Sequence, residues 1–89
     1  MKRFFLTCCL VIMASDAWAQ VCVVNDPTGT PLNVRSRPNG PILGALYNGA
    51  AVQVLDSTFD SSGRRWAYIA PLEAGKRGWV FRAYLNCGQ

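Results

Sequence analysis

The sequence predicts an all-β fold: a small five-stranded antiparallel barrel with a short C-terminal 3-10 turn, clasped by one disulfide. Three observations predict it. Turn-forming residues recur at intervals of roughly ten residues, the spacing of short strands in a sandwich or small barrel. The apolar residues between them show no sustained helical period. One cysteine stands near each end of the part that folds, Cys22 and Cys87.

The first residues read as a leader and not as fold. Lys2 and Arg3 precede an apolar run from Phe4 to Ala14, broken only by Thr7. A bilayer-spanning helix needs about 20 apolar residues, so this run is too short to anchor the chain. Ala17-Trp18-Ala19 places small residues where a signal peptidase reads. The expectation is a signal peptide over residues 1–19 and one domain over residues 20–89, with no stable membrane insertion after cleavage. Cys8 and Cys9 leave with the leader. Loss of Lys2, Arg3 and Asp16 lowers the net charge from +4 to about +3.

The strands follow in order between the turns. Leu32 to Arg35 is short and alternating, and Pro41 to Leu46 sets Ile42, Gly44 and Leu46 on one side. Asn48-Gly49 is a favoured two-residue hairpin turn. Ala51 to Asp56 turns Val52 and Val54 to one face. Arg65 to Ala70 sets Ala67 and Ile69 against Trp66 and Tyr68, and Gly78 to Phe81 sets Val80 against Trp79 and Phe81. Arg82 to Leu85 makes one tight helical turn. The expected core is Leu32, Val34, Ile42, Leu46, Val52, Val54, Ile69, Val80 and Leu85.

So thin a core explains the cysteines. In an oxidising compartment Cys22 and Cys87 read as a disulfide. Closing a loop of this length is worth about 4 kcal/mol in the chain-entropy model. The core of a domain this small rarely supplies more than about 3–5 kcal/mol. A metal site is the alternative, but two thiols and no histidine are too few donors, so neither metal nor cofactor is expected.

Catalytic constellations are missing. Ser36, Ser57, Ser61 and Ser62 have no nearby general base. Asp56 and Asp60 are read as solvated loop acids, and no glycine loop suits a phosphate. What remains is aromatic and basic. Trp66 and Trp79 alternate away from the core, so both are expected on or near the surface on neighbouring strands.

At these residues the chain resembles a known family. LNVRSRPNGPILGALYNGAAVQVL resembles the first half of a bacterial SH3-like (Src homology 3) domain. RRWAYIA resembles its central tryptophan strand, and GKRGWVFRAYL its closing Gly-Trp-Val … Tyr-Leu segment. The likeness covers about residues 31–86 and implies a five-stranded SH3-like barrel. It departs at Phe81-Arg82, where relatives often have a small polar residue, and at the basic Arg64-Arg65. The loop that is acidic in eukaryotic relatives carries Arg35, Arg37 and Asn39, so an arginine-bearing proline-rich ligand would be repelled.

The resemblance implies non-catalytic binding in the cell envelope, of peptidoglycan or its peptide stems. It places Trp66, Trp79 and Tyr84 where related domains form an aromatic groove, with Arg35, Arg37, Arg65 and Arg82 able to meet ligand carboxylates. The alternative is a subunit or inhibitor docking on an envelope or secreted protein. An exported chain, periplasmic or extracellular, does not routinely meet nucleic acid; its natural anionic partners are wall polymers, headgroups and acidic proteins.

Overall fold

The computed structural model of the chain describes residues 20–88, and the expected signal peptide lies outside them. The five expected strands are all present: β2 (Leu32–Arg35), β3 (Ile42–Leu46), β4 (Ala51–Phe59), β5 (Arg65–Pro71) and β6 (Gly78–Phe81). Two more frame them, β1 (Gln20–Val24) and β7 (Leu85–Asn86). The expected tight turn is a 3-10 turn over Arg82–Tyr84. All seven strands form one sheet in the order β3-β2-β6-β5-β4-β1-β7. The fold is all-β as expected, but the five-stranded barrel is corrected to a seven-stranded sheet that does not close. Its free edges are β3 and β7.

The two added strands lie at the two ends of the described residues. Val23 and Val24 of β1 pair with Asn86 and Leu85 of β7. Cys22 is bonded to Cys87, with the sulfurs 1.98 Å apart, so the expected disulfide is present. β1 alternates Cys22 and Val24 inward with Val21 and Val23 outward, and its other edge pairs with β4. The Asn48-Gly49 turn is present, but it is not a hairpin. Ala50 N–H donates to the Tyr47 carbonyl across it, while β3 pairs with β2 and β4 pairs with β5 and β1. Turn residues set where a chain reverses; they do not choose its pairing partner.

Two bulges adjust the alternation. Val34 pairs with Gly44 and Arg35 with Ile42, which leaves Leu43 as an extra residue in β3. Val54 pairs with Ile69 and Asp56 with Tyr68, which leaves Leu55 extra in β4. The bulge explains a correction to the core: Ile42 is 55% exposed. It lies beyond the bulge on the edge strand, opposite Arg35 and past the apolar cluster. Val54, beside the second bulge, is only partly buried. The core gains Cys22, Val24, Ala67 and Cys87 in exchange.

Strands β2 and β6 meet at one point, Arg35 opposite Trp79. Gly78 permits the approach, because a Cβ there would lie 2.6 Å from Val34 Cγ1 and 2.7 Å from the Arg35 carbonyl oxygen. The Gly78→Ala variant is expected to lose about 1–3 kcal/mol, the usual range for overpacking, read by urea denaturation. Replacing Cys22 and Cys87 together by alanine is expected to lower the unfolding free energy by about 4 kcal/mol in the same assay. A loss below about 1 kcal/mol would show that β1–β7 pairing holds the ends without the bond.

Candidate functional site

The site is built on the outer face of β5 and β6. Their register sets Trp66 opposite Phe81 and Tyr68 opposite Trp79. The rings pack as the register dictates: Trp66 on Phe81 with centroids 4.2 Å apart, and Tyr68 on Trp79 at 5.3 Å. Tyr84, from the 3-10 turn, meets Phe81 edge-on at 5.9 Å. Edge-on and offset contacts of this kind suit the quadrupoles of the rings.

Trp66 is the main correction here. It was expected on or near the surface and is 1% exposed. Alternation does put it on the outer side of β5, apart from the main apolar cluster. There Phe81 covers its ring, and its indole N–H donates to Asp60 Oδ2 at 2.9 Å. The outer face thus holds a second small core around one tryptophan.

Asp60 was expected to be a solvated loop acid, and this too is corrected. Its side chain is 4% exposed. Oδ2 accepts from Trp66, from Asn39 Nδ2 at 3.1 Å and from Arg64 Nε at 3.2 Å. Oδ1 accepts from the backbone N–H of Ser62 at 2.9 Å and of Arg64 at 3.0 Å. The indole N–H, aided by the other donors and opposed by desolvation, holds this carboxyl well below the usual carboxylate range. Asp56 is exposed as expected. The sequence did carry a signal: Asp60-Ser61-Ser62-Gly63 is an Asx-turn pattern, and such an aspartate bonds its own backbone.

A groove of about 460 Å³ opens beside this core, floored by Phe81, Ala83 and Tyr84 and rimmed by Arg64, Arg65 and Arg82. No acidic residue lines it. The three cations differ. Arg64 is committed: it pairs with Asp60, bonds Asn39 Oδ1 at 3.3 Å and lies 5.1 Å over the Phe81 ring. Arg82 makes one contact, to the Leu85 carbonyl at 3.3 Å. The exposed Arg65 guanidinium has no hydrogen-bond partner among the described residues.

A smaller hollow of about 230 Å³ shares Phe81 and Tyr84 with the groove and continues past Trp66 to Arg35, Asn33 and the Asp26–Pro31 loop. Arg35 donates to the Gly40 carbonyl at 2.7 Å, so part of its guanidinium holds the 36–40 loop. Of the residues read from sequence, Arg65, Arg82 and Tyr84 therefore share the groove, and Trp66, Arg35 and Tyr84 share the hollow. Trp79 and Arg37 line neither. Trp79 packs against Tyr68, and Arg37 is exposed on the 36–40 loop. Alternation sets Phe81 on the outer aromatic face with Trp79, as found, whereas sequence reasoning missed the lining roles of Arg64 and Asp26.

The family model for the bacterial SH3 domain matches residues 30–86. The chain belongs to this family, one of binding modules that are generally non-catalytic. No curated protein and no solved structure matches the chain.

Asp60 gives the outer core a defined pH dependence. Its pKa is lower folded than unfolded, so the stability it contributes is present above the unfolded value of about 3.9. That stability is lost as pH falls through the folded value. Asp60→Asn is therefore expected to be less stable than the native chain at pH 7, with the gap closing under acid. Urea titrations at pH 7, 4 and 2.5 read this out, and a gap constant over the three would refute the assignment.

Proposed function

We propose that the chain is an exported binding module whose basic aromatic groove docks on cell-wall peptidoglycan through its peptide stems. One observation carries the reading. A groove floored by the Phe81 and Tyr84 rings has the Arg65 and Arg82 guanidinium groups on its rim and no acid to neutralise them. Guanidinium forks bind carboxylates with two parallel hydrogen bonds, and peptide stems carry carboxylates. The rings offer flat apolar surface to a sugar face or an alkyl chain. Membership of a binding-module family supports the reading. Export is supported by the leader-like residues 1–19 and by the Cys22–Cys87 bond, which persists in an oxidising compartment. No helix among the described residues is long and apolar enough to cross a membrane.

A second reading, docking on an envelope or secreted protein as subunit or inhibitor, is favoured by β3. This edge strand carries no charge, and Ile42 and Leu43 are exposed on it. Such an edge can accept a strand from another chain.

The test is co-sedimentation of the oxidised protein with purified sacculi. The native chain is expected to pellet with them at low salt, and added salt to weaken the binding. The double variant Arg65→Ala, Arg82→Ala is expected to bind at least about tenfold more weakly with an unchanged circular dichroism spectrum, which is about 1.4 kcal/mol. Full binding by the double variant would reject the groove. Absence of binding by the native chain would reject the wall and favour the protein partner.

A further inference from the structure

The fold buries two carboxylates and treats them differently. Asp60 sits under Arg64 with both oxygens engaged. Asp26 is 6% exposed and has no cation within ion-pair distance among the described residues. Its Oδ1 accepts the Thr28 backbone N–H at 2.8 Å and the Thr28 hydroxyl at 2.6 Å. Its Oδ2 accepts nothing from the described residues. A buried carboxylate with an idle oxygen is costly unless a cation or donor completes it.

The surroundings hold the Asp26 backbone in place. The Asn48 side chain clamps the Asp26 backbone, accepting its N–H at 2.7 Å and donating to its carbonyl at 3.2 Å. Asp26 lines the smaller hollow, along with Thr28, Thr30, Trp66, Phe81, Tyr84 and Arg35, whose guanidinium donates to the Gly40 carbonyl at 2.7 Å. The two hydroxyls lie 2.8 Å apart. Thr28 spends its proton on Asp26, so the proton between the two comes from Thr30, and the lone pairs of Thr30 Oγ1 stay free. The hollow therefore offers two acceptors, one of them a carboxylate oxygen, beside aromatic walls, while its lining cation Arg35 is partly committed to the Gly40 carbonyl. A primary ammonium has three donors, and aromatic faces attract it.

We infer that this hollow is an ammonium subsite, with Asp26 Oδ2 and Thr30 Oγ1 as its acceptors, and that its occupant is a free amine of a wall peptide stem. The choice of the stem rests on the proposed wall binding; the ammonium chemistry rests on Asp26 alone. The groove and the hollow share Phe81 and Tyr84, so a zwitterionic stem would set carboxylates among Arg65 and Arg82 and its amine at Asp26. The Asx turn does not explain an aspartate here, because asparagine supplies the same Oδ1 acceptor.

The test separates the two parts. The ¹⁵N-labelled protein, recovered oxidised from an expressing bacterium, is titrated with n-propylammonium chloride at constant ionic strength, with propanol as the neutral control. Saturable shifts are expected at the Thr28 and Thr30 amides and the Trp66 indole N–H, and not with propanol. Asp26→Asn is expected to bind propylammonium at least about tenfold more weakly while keeping its spectrum, and Thr30→Val several-fold more weakly. No saturable shift, or equal affinity in Asp26→Asn, overturns the subsite. Sacculi whose amines have been acetylated form the second arm. The native chain is expected to bind them more weakly than untreated sacculi, and Asp26→Asn to bind both alike. Propylammonium binding with equal pelleting on both kinds of sacculi overturns the stem amine as occupant. Propylammonium binding with no pelleting on either overturns the wall reading itself and leaves the subsite standing.

Discussion

The covalent tie between Cys22 and Cys87 is the constraint on which the rest depends. It joins β1 to the residue just after β7, across a sequence separation of 65. Strand β7 is two residues long and could not hold an edge by its own hydrogen bonds. Tied to β1, it fixes the 3-10 turn that precedes it. The Tyr84 carbonyl then accepts the Asn25 N–H at 2.8 Å, directly beside Asp26. One bond near the chain ends thus closes the core and places Tyr84 where the groove meets the hollow. Stability and site geometry are coupled through it. The proposed ligand surface thus rests on a bond that persists in an oxidising compartment.

Charge around the tryptophan core is divided between groups committed to the fold and groups left uncommitted. Arg64 and Arg65 are adjacent in sequence but differ in use. Arg64 bends back over the hairpin to Asp60, where the pair and Asn39 seal the Trp66 indole. Asn39 reaches Asp60 from the neighbouring loop with a left-handed backbone (φ 61°), a conformation asparagine tolerates well. Arg65, one residue on, carries no such duty. The same applies to the two buried aspartates, of which one is fully satisfied and one keeps an idle oxygen. A residue already saturated by its own fold has little left to offer a ligand.

Much of the fold was legible in the sequence, and the failures have physical causes. The five central strands and the 3-10 turn were marked by alternation and by turn residues, which are local properties. The strands β1 and β7 were not, because neither makes sense without the other and the disulfide that joins them. Ile42 was misplaced because a bulge is invisible to a period-two reading. Trp66 shows the limit most clearly. Alternation assigned it to the correct face, but facing away from the core is not the same as facing water. What covers it is the Phe81 ring on the neighbouring strand, and its indole N–H is met by Asp60 from the preceding loop. The groove's cations were legible as a basic cluster, whereas Asp26 was not, since its isolation in the fold is a property of three dimensions.

The sheet's two edges give these observations a common direction. β7 is blunted by its shortness, and the cationic Arg82 lies three residues ahead of it. β3 is longer, uncharged and exposed, the kind of edge natural proteins usually protect. The chain is net positive, but β3 itself carries no charge to repel a second strand. The groove therefore suits a charged polymer, while the β3 edge suits a neutral backbone. An exported module with both could hold the wall with one side and leave the other for a protein strand. On that view the two proposed readings are uses of different parts of one sheet, and the groove variants leave β3 untouched.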